Sequence, residues 1–424
     1  MQNVKAHKYP LTGVFAAIVL TAALPAGAAA EDVEVLHYWT SGGEAKALNL
    51  LKEEIEAKGF GWKDMPVAGG GGEAAMTTLR ARVNAGNPPT AAQMTGFDLI
   101  EWSRQGDYLA DLNAIALEEK WDDVIPDAVK VFSKPDGVWI AAPVNIHATN
   151  WVWGNKALLD ELDIEEPKTW EEFVAAMEKV KAAGKVGLAH GGQPWQDVTL
   201  FDSAALASLG AKDYVRAFVD LDPEVLGSDK MLEAFQKMEQ LRGFVDDNFS
   251  GRDWNLASAM VLNGEAAFQI MGDWAKGEFM SAGKAAGTDF VCFQTPGTTG
   301  TVLLDSDQFV MFKMPDEAAR NVQTAMASAV VSPGFQAGFS KIKGSVPARI
   351  DVSDEGFDEC AKKGIRQVRE AAESKTLIGS MALGHSNTPA IKSAITDIVT
   401  THFNGEIEAE AAVQALVEAV EAAK

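Results

Sequence analysis

Aromatic, amide, acidic and basic side chains recur at the turns that follow strand-like runs in this chain. Trp39 ends the first such run, with Thr40 and Glu44 just beyond it. Gln93 closes another, beside Thr95, and Asn145 and His147 follow Pro143. Trp195 is an exposed-looking aromatic in the loop Gly191-Gly192-Gln193-Pro194-Trp195. Asp305 and Asp307 lie between two strand-like runs, and Lys343 and His385 occupy the loops Lys343-Gly344-Ser345 and Gly384-His385-Ser386-Asn387. A polyhydroxylated ligand calls for this mixture. Carboxylates and amides take hydroxyl protons, Lys and His donate to ring or hydroxyl oxygens, and an indole covers a C–H face. Each position alone has a plainer role. Asp305 and Asp307 would solvate a turn, Lys343 would be a surface cation, and His147 and His385 would be satisfied core residues. Their recurrence at strand ends carries the reading.

The stretch from Asn263 to Trp274 gathers these features. Asn263-Gly264 is a helix stop. Ala266 to Met271 is an apolar run long enough for one buried strand. Gly272 permits a tight exit, and Asp273 is a good N-cap for a helix beginning near Trp274. Ligands of open α/β sheets bind at such strand-to-helix edges. Trp274 there is either a stacking platform for a sugar face or a packing residue under its helix.

Other chemistries find less support. Gly69 to Gly72 lacks the Gly-Lys-Ser/Thr ending of a phosphate loop, and Glu73 follows it, so it reads as a turn. The six His include no pair at the i, i+4 spacing of a helical zinc site, so no metal is expected. No cofactor and no G-x-S-x-G elbow is indicated. With 60 acidic residues a glycosidase pair cannot be dismissed by counting, but nothing marks two carboxylates as a pair.

The positioning elements read as α/β. Val33–Trp39, a short strand closing at Val67, and Ala91–Met94 alternate with helices carrying Leu48, Leu51 and Ile55, then Met76, Leu79 and Val83. This β-α-β-α-β order predicts a parallel sheet. Further strands are expected over 138–143, 150–153 and 291–294, with two runs within 302–312. Thr169-Trp170-Glu171-Glu172 is a capping box opening a helix through Val180. Residues 196–264 read as helical with turns at Gly210, Asp222-Pro223 and Gly243, and the chain ends in an amphipathic helix carrying Ile407, Val413, Leu416 and Val420. Cys292 and Cys360 are either joined or two buried thiols.

Lys5 and Lys8, the apolar core Leu11 to Leu24 and the small-residue site Ala28-Ala29-Ala30 read as an export signal over residues 1–30, with the mature chain starting at Glu31. The formal charge of −23 repels nucleic acid and anionic membranes, but says nothing of a neutral ligand.

In their order and spacing, several stretches resemble the family 1 extracellular solute-binding proteins of bacterial ABC importers, in particular the glucose/mannose-binding type. They are 37–44, Pro143-Val144-Asn145-Ile146-His147, Pro167-Lys168-Thr169-Trp170-Glu171-Glu172-Phe173, Asn263 to Trp274, Lys343-Gly344-Ser345 and Gly384-His385. The resemblance spans residues 31–424. It implies the type II periplasmic-binding-protein fold: two lobes, each a sheet flanked by helices, with ligand in the cleft between them. The first lobe would take 31–143 and 303–350, the second 144–302 and 351–424. It also implies stacking at Trp274 and hydrogen bonds from Trp39, Glu44, Asp305, Lys343 and His385. Two positions depart: Tyr38 stands where Trp is common, and Met94-Thr95 where Lys or His is common. The expected protein is a periplasmic monomer, not an enzyme. It would capture a monosaccharide, glucose first and mannose or another hexose next, and deliver it to the ABC permease. The alternatives are an oligosaccharide or polyol binder, whose longer groove would recruit Trp195 and Trp151, and a secreted glycosidase.

Overall fold

The computed structural model describes residues 32–424, so the expected export signal lies outside the described residues. Strand Asp32–His37 runs parallel to Gly61–Pro66 on one side and to Ala91–Thr95 on the other. The connecting helices, Gly42–Ala57 and Glu73–Asn84, bury Leu48, Leu51 and Ile55, and Met76, Leu79 and Val83, as their spacing predicts. The sheet is not wholly parallel. Asp307–Met311 inserts antiparallel between Ala91–Thr95 and Ala141–Pro143, because the chain returns to this sheet from the far side.

A second sheet orders Val186–Leu188, Ala266–Ile270, Trp151–Asn155 and Phe290–Gln294. Its flanking core is rich in aromatics, with Phe173 edge-on to Phe268 at 5.2 Å and Phe201 beside Phe235 at 4.8 Å. The capping box at Thr169 forms, and Gly210 breaks helix Pro194–Phe218 with a left-handed φ of 71°. Cys292 and Cys360 are joined, tying strand Phe290–Gln294 to helix Glu359–Ser374.

A third, small sheet orders Val346–Pro347, Asn145–Ala148, Val302–Asp305 and Leu377–Gly379. It joins the first sheet through two one-residue interruptions. Val144 separates Ala141–Pro143 from Asn145–Ala148, and Ser306 separates Val302–Asp305 from Asp307–Met311. The crossings lie side by side, since Val144 N–H donates to the Asp307 carbonyl (2.9 Å) and Ser306 Oγ donates to the Asn145 carbonyl (2.7 Å). Asn145, Asp305 and Asp307 therefore sit where the chain passes between sheets.

Candidate functional site

One chamber gathers side chains from distant parts of the chain. Its walls include Tyr38, Trp39, Glu44, Thr95, His147, Trp195, Trp254, Trp274, Asp305, Asp307 and Lys343, with Gly70, Gly71 and Leu383 at its edge. Its volume is about 30 Å³. A larger chamber of about 420 Å³ lies next to it and shares Gly71, Thr95, Trp195 and Leu383 as walls.

Trp39 stands two residues beyond strand Asp32–His37, held edge-on against Phe309 at 5.6 Å and beside Phe339 at 5.2 Å. Glu44 lies in the first turn of the following helix. It completes a capping box with Ser41: its Oε2 accepts from the backbone N–H groups of Thr40 and Ser41, both at 3.1 Å. Its Oε1 is left to accept from Lys343 Nζ at 3.1 Å. Lys343 is buried, 5.9 Å from the Trp39 ring centre and 6.0 Å from that of Trp274. The ammonium thus sits between two indoles and a carboxylate, an arrangement that combines cation–π attraction with an ion pair.

Trp274 is buried, and His147 meets it edge-on at 5.1 Å. Gly272 is needed beside it, because a Cβ there would lie 2.1 Å from the indole. Trp195 lies 6.5 Å from Trp274, tilted by 46°, with its Nε1 donating to Gln193 Oε1 at 2.9 Å. Gly70 closes over this group from the other side. A Cβ on it would meet Trp195 at 2.9 Å and Trp254 at 3.1 Å. The glycine turn thus serves close backbone approach, as its lack of side chains permits.

The acids are held unequally. Asp307 Oδ1 accepts from Gln93 Nε2 at 2.7 Å, and its Oδ2 accepts from Asn145 Nδ2 at 3.0 Å and from His147 Nε2 at 3.1 Å. Burial opposes its ionisation, but the His147 bond and charge, Lys343 and Asn145 together hold it at about 2. Asp305 Oδ1 is buried with no hydrogen-bond partner. Burial, and then the charge of Asp307, push the Asp305 carboxyl up to about 7. Burial alone would lower His147. The Asp273 charge and hydrogen bonds to Asp273 and Asp307 overcome that and raise it to about 9, so it is an imidazolium donating from both nitrogens. Tyr38 is pushed well above the usual phenol range by burial and by the charges of Asp307 and Asp305, so it stays a neutral O–H.

Several expected residues stand elsewhere. Gln93 and Asn145 are fully buried behind Asp307 and orient it rather than lining the chamber. His385 is also behind the wall. Its Nε2 accepts from Ser306 N–H at 3.3 Å, its Nδ1 donates to the Leu383 carbonyl at 3.1 Å, and burial holds it down at about 4. Thr40 is exposed and borders a separate hollow with His37 and Trp62. Trp195 is buried rather than exposed, because helix Pro194–Phe218 starts one residue before it. Trp151 stacks on Trp153 at 5.9 Å and does not line the chamber. Lys343 ends a helix, Pro333–Lys343, rather than lying in a loop, with Gly344 at a left-handed φ of 97° closing it. Asp273 does not cap the next helix. That helix starts at Ala275, and the Asp273 carboxylate instead meets His147 Nδ1 and the Ala148 N–H, a buried cation being the stronger partner.

Residues missed in the sequence are Tyr38, Trp254, Asp273, Gly70 and Gly71. Among the described residues no cluster of three or more His, Cys, Asp or Glu is arranged to hold a metal ion. No helix among them is long and apolar enough to cross a membrane.

Residues 65–313 match the family model for bacterial extracellular solute-binding proteins. The chain is 58% identical over 418 residues to a probable sugar-binding periplasmic protein of Rhizobium meliloti (strain 1021), covering 99% of this chain and 100% of the relative. It is 28% identical to an uncharacterized ABC transporter extracellular-binding protein of Pyrococcus horikoshii, over 87% of this chain and 83% of the relative. Among solved structures, a chitin oligosaccharide binding protein superposes with a TM-score of 0.78 at 19% identity, covering 92% of this chain and 98% of the other. The bacterial solute receptor AcbH, described with an exclusive preference for b-D-galactopyranose, gives 0.78 at 16% identity over 92% and 99%. The fold is that of the two-lobed periplasmic binding proteins, and the chain belongs to the bacterial extracellular solute-binding protein family.

Proposed function

We propose that the chain is the periplasmic sugar-binding component of an ABC importer, and that it captures a monosaccharide, glucose first and mannose or another hexose next. The observation that carries this reading is one chamber walled by the Trp39 and Trp274 indoles together with Glu44, Lys343 and the Asp305 carboxyl. A ligand hydroxyl would donate to the Asp305 carboxyl where it borders the chamber. The Trp274 indole covers the ring's C–H face, while Glu44 and Lys343 reach its oxygens. The names of the close relatives, sugar-binding and periplasmic, support the ligand class and the compartment.

Capture proceeds by hinge closure. We take the lobes as 31–143 with 303–350, and 144–302 with 351–424, so the chain crosses between them three times, near Val144, near Val302 and near Ile350. The inner chamber, at about 30 Å³, has room for no more than about two waters, so a hexose enters when the lobes part. Contacts from both lobes then favour the closed form. The protein makes and breaks no bond. It works as a monomer without cofactor or metal and passes the sugar to the membrane permease. An affinity near micromolar, about −8 kcal/mol, suffices.

The test is a tryptophan-fluorescence titration of ligand-stripped protein with glucose, mannose, galactose, xylose, maltose and mannitol, checked by calorimetry. A saturable response to a hexose supports the proposal. Silence to every sugar removes it.

A second reading rests on the split acidities of Asp305 and Asp307, the pattern of a glycosidase acid and its partner. Against it, both Asp307 oxygens are already taken by Gln93, Asn145 and His147. Release of chromophore from aryl-glycosides would favour the enzyme.

A further inference from the structure

Asp202 is a buried acid that lines neither chamber. It lies in helix Pro194–Phe218, and its chain neighbours Phe201, Ala204, Ala205 and Leu206 belong to the apolar core. Burial pushes its carboxyl up to about 6, against the pull of its bonds to Ser380 and Tyr214. Oδ1 accepts from the Tyr214 O–H, and Oδ2 accepts from Ser380 Oγ at 2.6 Å and from the Ala382 N–H at 3.4 Å. Tyr214 Oη accepts in turn from the Met381 N–H at 3.0 Å, and Ser380 Oγ from the Leu383 N–H at 3.1 Å. The successive N–H groups of Met381, Ala382 and Leu383 thus each donate to one of these side chains. A fully satisfied buried polar network rigidifies the segment it holds.

The helix is broken where this network needs it. Asp202 and Tyr214 are 12 residues apart, and an unbroken helix would separate them by about 18 Å along its axis. Gly210, at φ 71° and ψ 167°, interrupts the helix between them and brings the phenol back to the carboxylate.

The segment held in this way, 380–385, reaches the inner chamber. Leu383 borders it. The Gly384 carbonyl accepts from the Phe97 N–H at 2.8 Å, an approach that Gly96 permits, since a Cβ there would lie 2.1 Å from that oxygen. His385 stands behind Asp305, with Nδ1 3.5 Å from Asp305 Oδ1, and its Nε2 accepts from the Ser306 N–H at 3.3 Å.

We propose that Asp202, Tyr214 and Ser380 are positioning residues for sugar binding. They do not touch the ligand. They fix the segment that sets Leu383 in the chamber wall and His385 behind Asp305. The proposal rests on the sugar reading above and extends it to side chains outside the chamber.

Calorimetry of ligand-stripped wild type, Tyr214→Phe and Ser380→Ala with glucose, mannose and galactose tests this, together with amide hydrogen exchange of the ligand-free proteins. Each substitution removes one hydroxyl. For the sugar that wild type binds, each variant should bind about fivefold or more weakly, the equivalent of one lost neutral hydrogen bond. Exchange should quicken at Met381, Leu383 and Phe97, while strand Ala266–Ile270 stays protected. Asp202→Asn takes the place of a variant that fails to fold. The proposal is overturned if the folded variants bind within about twofold of wild type, whatever their melting temperature, or if affinity falls while exchange in 380–385 is unchanged. Silence of wild type toward all three sugars instead overturns the sugar reading, and this proposal with it.

Discussion

Asp305 and Asp307 stand two residues apart on the same chamber wall, yet one is starved of hydrogen bonds and the other saturated. Asp307 accepts from Gln93, Asn145 and His147, while Asp305 Oδ1 accepts from nothing. The difference follows from the crossing at Ser306, which turns Asp307 toward the buried Asn145–His147 side and leaves Asp305 beside the closed-off His385. Asp305 Oδ1 lies 3.5 Å from His385 Nδ1, on the wall side, and the carboxyl is available to a ligand where it borders the chamber.

That availability carries a stability penalty with a definite sign. The Asp305 carboxyl is raised to about 7 in the fold, so the stability linked to its proton is full below about pH 4 and is lost as pH rises through about 7. Asp305→Asn keeps the neutral form. It should raise the melting temperature of ligand-free protein at pH 8 by a few degrees and flatten its dependence between pH 4 and 7. The same variant should bind sugar more weakly, because the acceptor is replaced by an amide. Thermal melts across pH, paired with calorimetry, check both halves.

His147 should be the structural hub. Its imidazolium lies between Asp273 and Asp307, and its raised pKa of about 9 places its stabilising charge fully below about pH 6.5 and loses it as pH rises through 9. His147→Gln leaves two buried carboxylates without their cation. A loss of roughly 3–5 kcal/mol is expected, with the fall in stability between pH 6.5 and 9 abolished. Urea unfolding at pH 6 and pH 9 measures it. Equal stability of variant and wild type at pH 6 would contradict the role.

The Glu44–Lys343 contact joins helix Gly42–Ala57 to a helix end 299 residues away. Lys343→Met removes a donor to the ligand, while Glu44 keeps its backbone partners Thr40 and Ser41. Sugar affinity should fall about tenfold or more, as for a lost charge-assisted bond worth roughly 1.5–3 kcal/mol. A double-mutant cycle with Glu44→Gln should show coupling, since the two side chains share one hydrogen bond.

The Cys292–Cys360 link closes a span of 68 residues, and neither cysteine lines the chamber. Replacing both by Ser should lower unfolding free energy by about 4 kcal/mol in the chain-entropy model and leave sugar affinity unchanged. Denaturant unfolding and calorimetry on the same preparation separate the two effects.

Much of this architecture was legible because it is periodic. Leu48, Leu51 and Ile55, and Met76, Leu79 and Val83, mark the crossover helices by spacing alone, and the buried run before Gly272 marks its strand. Trp39, Glu44, His147, Trp274, Asp305, Asp307 and Lys343, picked out by strand-end placement, are brought by the fold to one chamber. What that placement could not separate is a side chain facing the chamber from one propping the wall. Gln93, Asn145 and His385 have the right chemistry at the right turns, but their partners are 214, 162 and 79 residues away. Trp254 and the Gly70–Gly71 turn carry no local mark, since they matter only through each other's proximity. One signal was available and unread: Ser41 to Glu44 has the S-x-x-E spacing of a capping box, which fixes where the Glu44 carboxylate points.

Trp274 bears the central claim, that a sugar face stacks in the inner chamber. The decisive measurement is isothermal calorimetry of glucose into ligand-stripped wild type and Trp274→Ala, with circular dichroism to confirm the fold of both. Wild type should bind near micromolar, and the variant should lose roughly 1.5–3 kcal/mol, about 10- to 100-fold, with its fold retained. Equal glucose affinity in a folded Trp274→Ala would contradict the account.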